Sequence, residues 1–307
     1  MSSAVPPDWH DIDWREHQRW ATVGGAPLNY VDVGSGPAVL LVHGLGASWQ
    51  CWLANVPALA QHRRVIAVDL PGFGHSATQR ERISIQGYGR CLDDLCRQLE
   101  LGSTAVIGNS MGGFIGAEMA IALPQLVDRL VLVSPAIFWG EMRRARPAVH
   151  AARMFRATNA WAFARTETAA RRERLRWVVL KQAGIARPET IPTDLAWEAI
   201  HAAGGEGFTD ATLALADYSI RDRLPEVGCP TLVLWGRRDP LVSHRDADEL
   251  ERLIPNVRKV VWDDCGHVAM MEHPERLNAL AEEFLAEPAG ASSRNGGSPA
   301  HTATASS

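Results

Sequence analysis

Short apolar runs recur along the chain, separated by polar or helical stretches. Residues 28–33, LNYVDV, alternate as a strand with one wetter face does, and they end at the turn GSGP. Residues 38–43, AVLLVH, are nearly continuously apolar, the pattern of a strand covered on both faces. RRVIAVDL (63–70), STAVIG (103–108), RLVLVS (129–134), PTLVLWG (230–236) and VRKVVW (257–262) read the same way. Helical patterns stand between several of them, at 88–101, 111–124, 244–254 and 274–285. Alternating strands and helices predict a mainly parallel sheet with helices on both faces.

The rhythm breaks between about residues 135 and 222. Arginines crowd there (Arg143, Arg144, Arg146, Arg153, Arg156, Arg165, Arg171, Arg172, Arg174, Arg176), with Phe138, Trp139, Phe155, Trp161, Phe163 and Trp177 interleaved. No strand-like run occurs, so a helical insertion on top of the sheet is expected. The arginines are read as solvated faces of amphipathic helices whose aromatic faces close a pocket. A nucleic-acid surface fits less well, because the chain carries a formal net charge of −4 and no accompanying motif. From residue 287 the sequence is small, polar and without periodicity, the composition of a disordered tail. At the other end Trp9, Trp14 and Trp20 stand among acids and histidines, and they are expected to cover an edge of the domain rather than bind a ligand.

A length of 307 residues with 46% hydrophobic content suits one large α/β domain. The five cysteines are irregularly spaced with no CxxC pair, which argues against a zinc site or a disulfide framework. The opening residues lack the basic and apolar regions of a secretory signal. No apolar stretch reaches the roughly 18 residues a membrane span needs. A soluble, cytoplasmic protein is the expectation.

Candidate chemistry centres on Gly108-Asn109-Ser110-Met111-Gly112, which is G-x-S-x-G directly after a strand pattern and directly before a helix pattern. Such a turn is tight enough to strain its central residue, and glycines on each side avoid backbone clashes. A serine hydroxyl needs a base, and the base needs an orienting acid. Asp239, in GRRDPLV after one strand, and His267, in DDCGHVAM after another, would share a rim with Ser110. Asp263 and Asp264 are weaker candidates for the acid, being too near His267 in sequence to reach its ring easily. Upstream, VHGLG (42–46) follows a strand, so the backbone N–H groups of Leu45 and Met111 are candidate donors to an oxyanion. His43 is read chiefly as a brace for this loop, at the edge of the binding pocket. DLPGFGHS (69–76) is read as a structural loop beside it.

HGLG, DLPGFGHS, GNSMGG, GRRDP and CGH occur in the order found in the α/β-hydrolase superfamily, and residues 20–286 resemble it. The resemblance implies an eight-stranded, mostly parallel sheet flanked by helices, with a helical cap inserted after the sixth strand. The corresponding divisions are an N-terminal extension at 1–19, a core at 20–135 and 222–286, a cap at 136–221 and a disordered tail at 287–307. It implies a Ser110–Asp239–His267 triad and neither a metal nor an organic cofactor. Substrate-binding candidates are His43, Gly44, Asn109, Phe138, Trp139 and Val268. The expected reaction is hydrolysis of carboxylic esters of apolar or aryl small molecules. GNSMGG also resembles the carbon–carbon hydrolases of aromatic ring-fission products, in which Asn109 would help hold a dienoate. Against that, the chain has HGLGAS in place of a longer Gly-Pro loop, and Val268 rather than tryptophan after the histidine. A binding protein on a hydrolase scaffold is a third reading, disfavoured by the intact set of three residues. Nothing in the sequence excludes a homodimer.

Overall fold

The strands within two of the apolar runs, at 104–109 and 231–236, bury along their whole length in the computed structural model, which describes residues 8–79, 81–141, 172–201 and 205–288. Each run is a strand. With one more at the start they are β1 (Gln18–Val23), β2 (Ala26–Gly34), β3 (Ala38–Val42), β4 (Arg64–Val68), β5 (Thr104–Asn109), β6 (Val127–Val133), β7 (Thr231–Gly236) and β8 (Val257–Trp262). They form one sheet in the order β1-β2-β4-β3-β5-β6-β7-β8. β3 to β8 are parallel, while β2 pairs antiparallel with β4 and β1 with β2.

The helices are α1 (Val56–Leu59), α2 (Ile85–Gln98), α3 (Met111–Ala122), α4 (Glu173–Gln182), α5 (Thr193–His201), α6 (Phe208–Asp217), α7 (Asp246–Leu253), α8 (Ala269–Glu272) and α9 (Pro274–Ala286). They cover both faces. Leu92, Phe114, Leu215 and Leu250 bring α2, α3, α6 and α7 into one apolar cluster. Val56, Leu180, Leu195, Met270 and Phe284 bring α1, α4, α5, α8 and α9 into the other. Local chemistry sets helix starts: the Ser84 hydroxyl caps α2 by accepting the Gly87 N–H at 3.0 Å, and Pro274 opens α9.

Chain order reverses around β3, which lies between β4 and β5. The crossovers leave it in opposite directions, so a crevice opens beyond its carboxyl end. Val42, the last residue of β3, is in register with Gly108 of β5, which sets the loop after β3 beside the turn at Ser110.

β1 was not among the runs read from the sequence. It is an edge strand, QRWATV, in which only Val23 is buried, so it carries neither an apolar run nor a clean alternation. Its hairpin to β2 turns through Gly24 and Gly25, both at positive φ (58° and 74°), as a two-residue turn of this hand requires. Trp9 and Trp14 pack against the cluster that holds Trp49, with the Trp14 and Trp49 rings 5.2 Å apart, whereas Trp20 on β1 is 55% exposed.

Between β6 and β7 the described segments are helical. Residues 142–171, with most of the arginines and with Phe155, Trp161 and Phe163, lie outside the described residues, as does the tail beyond 288. Arg172 and Arg174 are exposed, as expected of a solvated face. Trp177 is exposed too, so it does not close a pocket; its neighbours Val179 and Leu180 face inward instead.

Candidate active site

Ser110 sits between the last residue of β5 and the first of α3, at φ 55° and ψ −114°. Few residues other than glycine adopt such a conformation, and holding it stores roughly 1–3 kcal/mol of strain. Close approach explains the flanking glycines. A Cβ on Gly108 would lie 2.3 Å from the Gly112 carbonyl oxygen, and one on Gly112 would lie 2.2 Å from the Val42 carbonyl oxygen. Backbone bonds hold the turn: Ser110 N–H donates to Val133 C=O at 3.0 Å, and Ser110 C=O accepts the N–H groups of Ala136 at 3.0 Å and Phe114 at 3.1 Å. Gly44 packs against it, since a Cβ there would meet the Ser110 Cβ at 3.1 Å. Met111 is the first residue of α3, so its N–H has no partner within the helix and the positive end of the helix dipole faces the same space.

β7 and β8 deliver the other two groups. Asp239 follows the end of β7 at Gly236, and His267 follows the end of β8 at Trp262. His267 Nδ1 and Asp239 Oδ2 are 2.7 Å apart, with 6% and 0% of the side chains exposed. The other Asp239 oxygen accepts the N–H groups of Leu241 at 2.8 Å and Val242 at 2.9 Å. A carboxylate satisfied this way is fixed in rotation and acts as acceptor only, so His267 carries its proton on Nδ1 and keeps a lone pair on Nε2. Asp263 and Asp264 are engaged elsewhere: Asp263 pairs with Arg237, and Asp264 approaches Arg276 at 3.3 Å and Arg187 at 3.6 Å.

Ser110 and His267 line one cavity of about 150 Å³. Gly44, Leu45, Asn109, Trp139 and Val268 line it as well. The insertion supplies a wall that single residues in the sequence did not reveal: Val179, Leu180, Ile185, Ile200, Phe208 and Leu215. Cys51, Met270 and Met271 were also missed. For those on α-helices the only signal was amphipathicity, which marks a buried face without saying what it faces; Ile185 and Cys51 lie outside the α-helices and had none. No lysine or arginine among the described residues lines the cavity.

Two expected lining residues do not line it. His43 is wholly buried behind the loop. Its Nε2 accepts the Leu70 N–H at 2.9 Å, so its Nδ1–H donates to Gly44 C=O at 2.7 Å. Burial pushes its pKa down to about 4, keeping the ring neutral as a brace. Phe138 is buried under the Arg221 guanidinium, 5.0 Å from the ring centre, and is turned to that side. Asn109 does line the cavity, but its amide nitrogen donates to Val133 C=O at 3.1 Å and His267 C=O at 3.0 Å. Both amide hydrogens are thereby committed to backbone rather than turned to a ligand. Asp69 is likewise structural: its buried carboxylate accepts the N–H groups of Trp49 and His75, and burial pushes its pKa up to about 6.

The family model described as the alpha/beta hydrolase fold matches residues 37–274. The chain belongs to this family. A 2-hydroxy-6-oxo-2,4-heptadienoate hydrolase of Pseudomonas putida is 31% identical over 279 residues, covering 87% of this chain and 96% of the relative. A pimeloyl-[acyl-carrier protein] methyl ester esterase of Vibrio campbellii is 29% identical, covering 84% and 98%. Among solved structures, a serine hydrolase involved in carbazole degradation superposes with a TM-score of 0.67 at 28% identity, covering 87% of this chain and 98% of that one. Family members are thus both carbon–carbon hydrolases and esterases. Among the described residues no helix is long and apolar enough to cross a membrane, and no group of three or more His, Cys, Asp or Glu side chains could hold a metal ion.

Proposed function

We propose that the protein is a serine hydrolase that cleaves carboxylic esters of apolar or aryl small molecules through an acyl-enzyme on Ser110. One observation carries this reading: a serine in a strained strand-to-helix turn lines the same cavity as a histidine that a buried carboxylate orients. His267 Nε2 takes the hydroxyl proton as Ser110 Oγ attacks the carbonyl carbon. The N–H groups of Leu45 and Met111 donate to the oxyanion of the tetrahedral intermediate, each such donor being worth roughly 3–4 kcal/mol. His267 returns the proton to the departing alkoxide, and water, deprotonated by the same nitrogen, then releases the acid. Asp239 holds the imidazole in one tautomer throughout. The helices between β6 and β7 act as a cap that shapes the acyl site and excludes water.

A second reading is favoured by the relatives: hydrolysis of the carbon–carbon bond of a ring-fission dienoate, the substrate type named for the Pseudomonas putida enzyme. It calls for a partner for the dienoate carboxylate, and the cavity offers no cationic side chain among the described residues. The purified protein is to be assayed on p-nitrophenyl esters and on 2-hydroxy-6-oxo-dienoates, alongside labelling with a fluorophosphonate. The ester reading expects label on Ser110, rapid p-nitrophenol release, and loss of both in Ser110→Ala. Dienoate cleavage far faster than ester cleavage would favour the second reading. Labelling without turnover of any substrate would favour a sensor on a hydrolase scaffold.

A further inference from the structure

The His267 turn is gripped from two sides. On one side Asn109 donates to its carbonyl from the turn that carries Ser110. On the other, the segment between α4 and α5 reaches it directly: His267 N–H donates to Gly184 C=O at 2.8 Å. The contact is close enough to require glycine on both segments. A Cβ on Gly184, which has φ +90°, would lie 2.6 Å from the His267 Cβ, and one on Gly266 would lie 2.2 Å from the Gly184 carbonyl oxygen.

Glu272, at the end of α8, spans the same gap. Its Oε1 accepts the Gly266 N–H at 2.9 Å and its Oε2 accepts the Ala186 N–H at 2.8 Å. The residue is 9% exposed, and among the described residues no lysine or arginine pairs with it. A carboxylate is costly to bury unless hydrogen-bonded, and these two donors come from segments about 80 residues apart in the chain, one in the insertion and one in the core. Two charge-assisted bonds from one side chain therefore tie the insertion to the residue immediately before His267.

We propose that Glu272 is a positioning residue: it staples the 184–186 turn of the insertion to the His267 turn, so that the insertion fixes where the imidazole stands relative to Ser110. This rests on His267 being the general base. It follows that the insertion is an integral part of the base's support, and that lifting residues 184–186 away would misplace the imidazole along with the cavity wall.

The test uses the full chain with Glu272→Ala and Glu272→Gln. Amide hydrogen exchange is followed over residues 184–186 and 266–267. Steady-state ester hydrolysis is normalised to sites titrated by a fluorophosphonate, which removes any loss of folded protein from the comparison. In Glu272→Ala both segments should exchange faster together, and kcat per titrated site should fall by about 10²-fold while KM moves by less than about twofold. Glu272→Gln keeps an oxygen for one of the two donors and should fall between that variant and the wild type. Faster exchange confined to one segment would overturn the proposal, as would kcat per titrated site close to wild type in both variants. If the wild-type chain neither labels at Ser110 nor hydrolyses an ester, the hydrolase reading fails, and the exchange measurement alone decides whether the staple exists.

Discussion

Replacing Asp239 by asparagine changes one proton's address and little else. In the wild-type protein one carboxylate oxygen accepts the N–H groups of Leu241 and Val242, and the other accepts His267 Nδ1–H. The introduced side-chain amide would have a choice of two orientations. Turning its NH₂ toward Leu241 and Val242 would oppose donors to donors and leave buried groups unpaired, at about 1–3 kcal/mol each. The oxygen therefore keeps the backbone donors, and the NH₂ faces His267 Nδ1. The imidazole must then accept there and carry its proton on Nε2, the nitrogen that should receive the Ser110 proton. The expected result is a fall in kcat of about 10⁴-fold, equivalent to about 5 kcal/mol of lost transition-state stabilisation. Because the backbone bonds survive, the thermal midpoint should hardly move. Alanine would not serve, since it orphans two buried N–H groups and mixes stability with chemistry. The assay is kcat for p-nitrophenyl butyrate in Asp239→Asn, with Asp264→Asn as the control whose carboxylate pairs with Arg276 and Arg187. If Asp239→Asn retained near wild-type kcat, or if Asp264→Asn were the variant that lost it, the orientation argument would be wrong.

Other consequences concern stability and selectivity. Ser110→Gly removes a side chain from a strained conformation, so it should raise stability by about 1 kcal/mol in a denaturant titration while abolishing ester turnover. A drop in stability would contradict the strain at Ser110. His43 titrates near pH 4 when folded and near 6.5 when unfolded, so the unfolded chain binds the extra proton in that window. Stability should therefore fall by about 3 kcal/mol from this group as pH drops from about 6.5 to 4. Asp69, pushed up to about 6, slopes the opposite way, so the readout is the difference in slope between wild type and His43→Asn. Identical slopes would mean His43 is not buried neutral. The apolar cavity should favour hexanoate over hemisuccinate esters by at least about 10²-fold in kcat/KM, because an unpaired carboxylate would be buried. Equal values would place the acyl group elsewhere.

Much of this architecture was readable because its signals are local. A doubly covered strand such as β5 must be continuously apolar, and an elbow as tight as that at Ser110 admits only glycine at Gly108 and Gly112. Asp239 and His267 each follow a strand pattern, which is enough to expect them on one rim; that β7 and β8 are neighbours, and that the side chains meet at 2.7 Å, the fold supplies. What stayed hidden depends on partners distant in sequence. Asn109 ends a strand, and only its place in the fold shows that its amide nitrogen is spent on Val133 and His267 backbone; His43 reads as a brace from its loop, but nothing local names Leu70 as its partner. β1 was invisible because an edge strand need not be apolar. Glu272 looked like any charge in MMEHP, since nothing local marks a carboxylate that turns inward to cap two turns.

An acyl-enzyme mechanism requires that the Ser110 hydroxyl become covalently bound to the acyl group during turnover. Rapid-quench mass spectrometry of the protein with p-nitrophenyl butyrate tests it most directly. A burst of p-nitrophenol should be matched by a butyryl adduct on the peptide containing Ser110. Turnover with no adduct, or with an adduct on another residue, would contradict it.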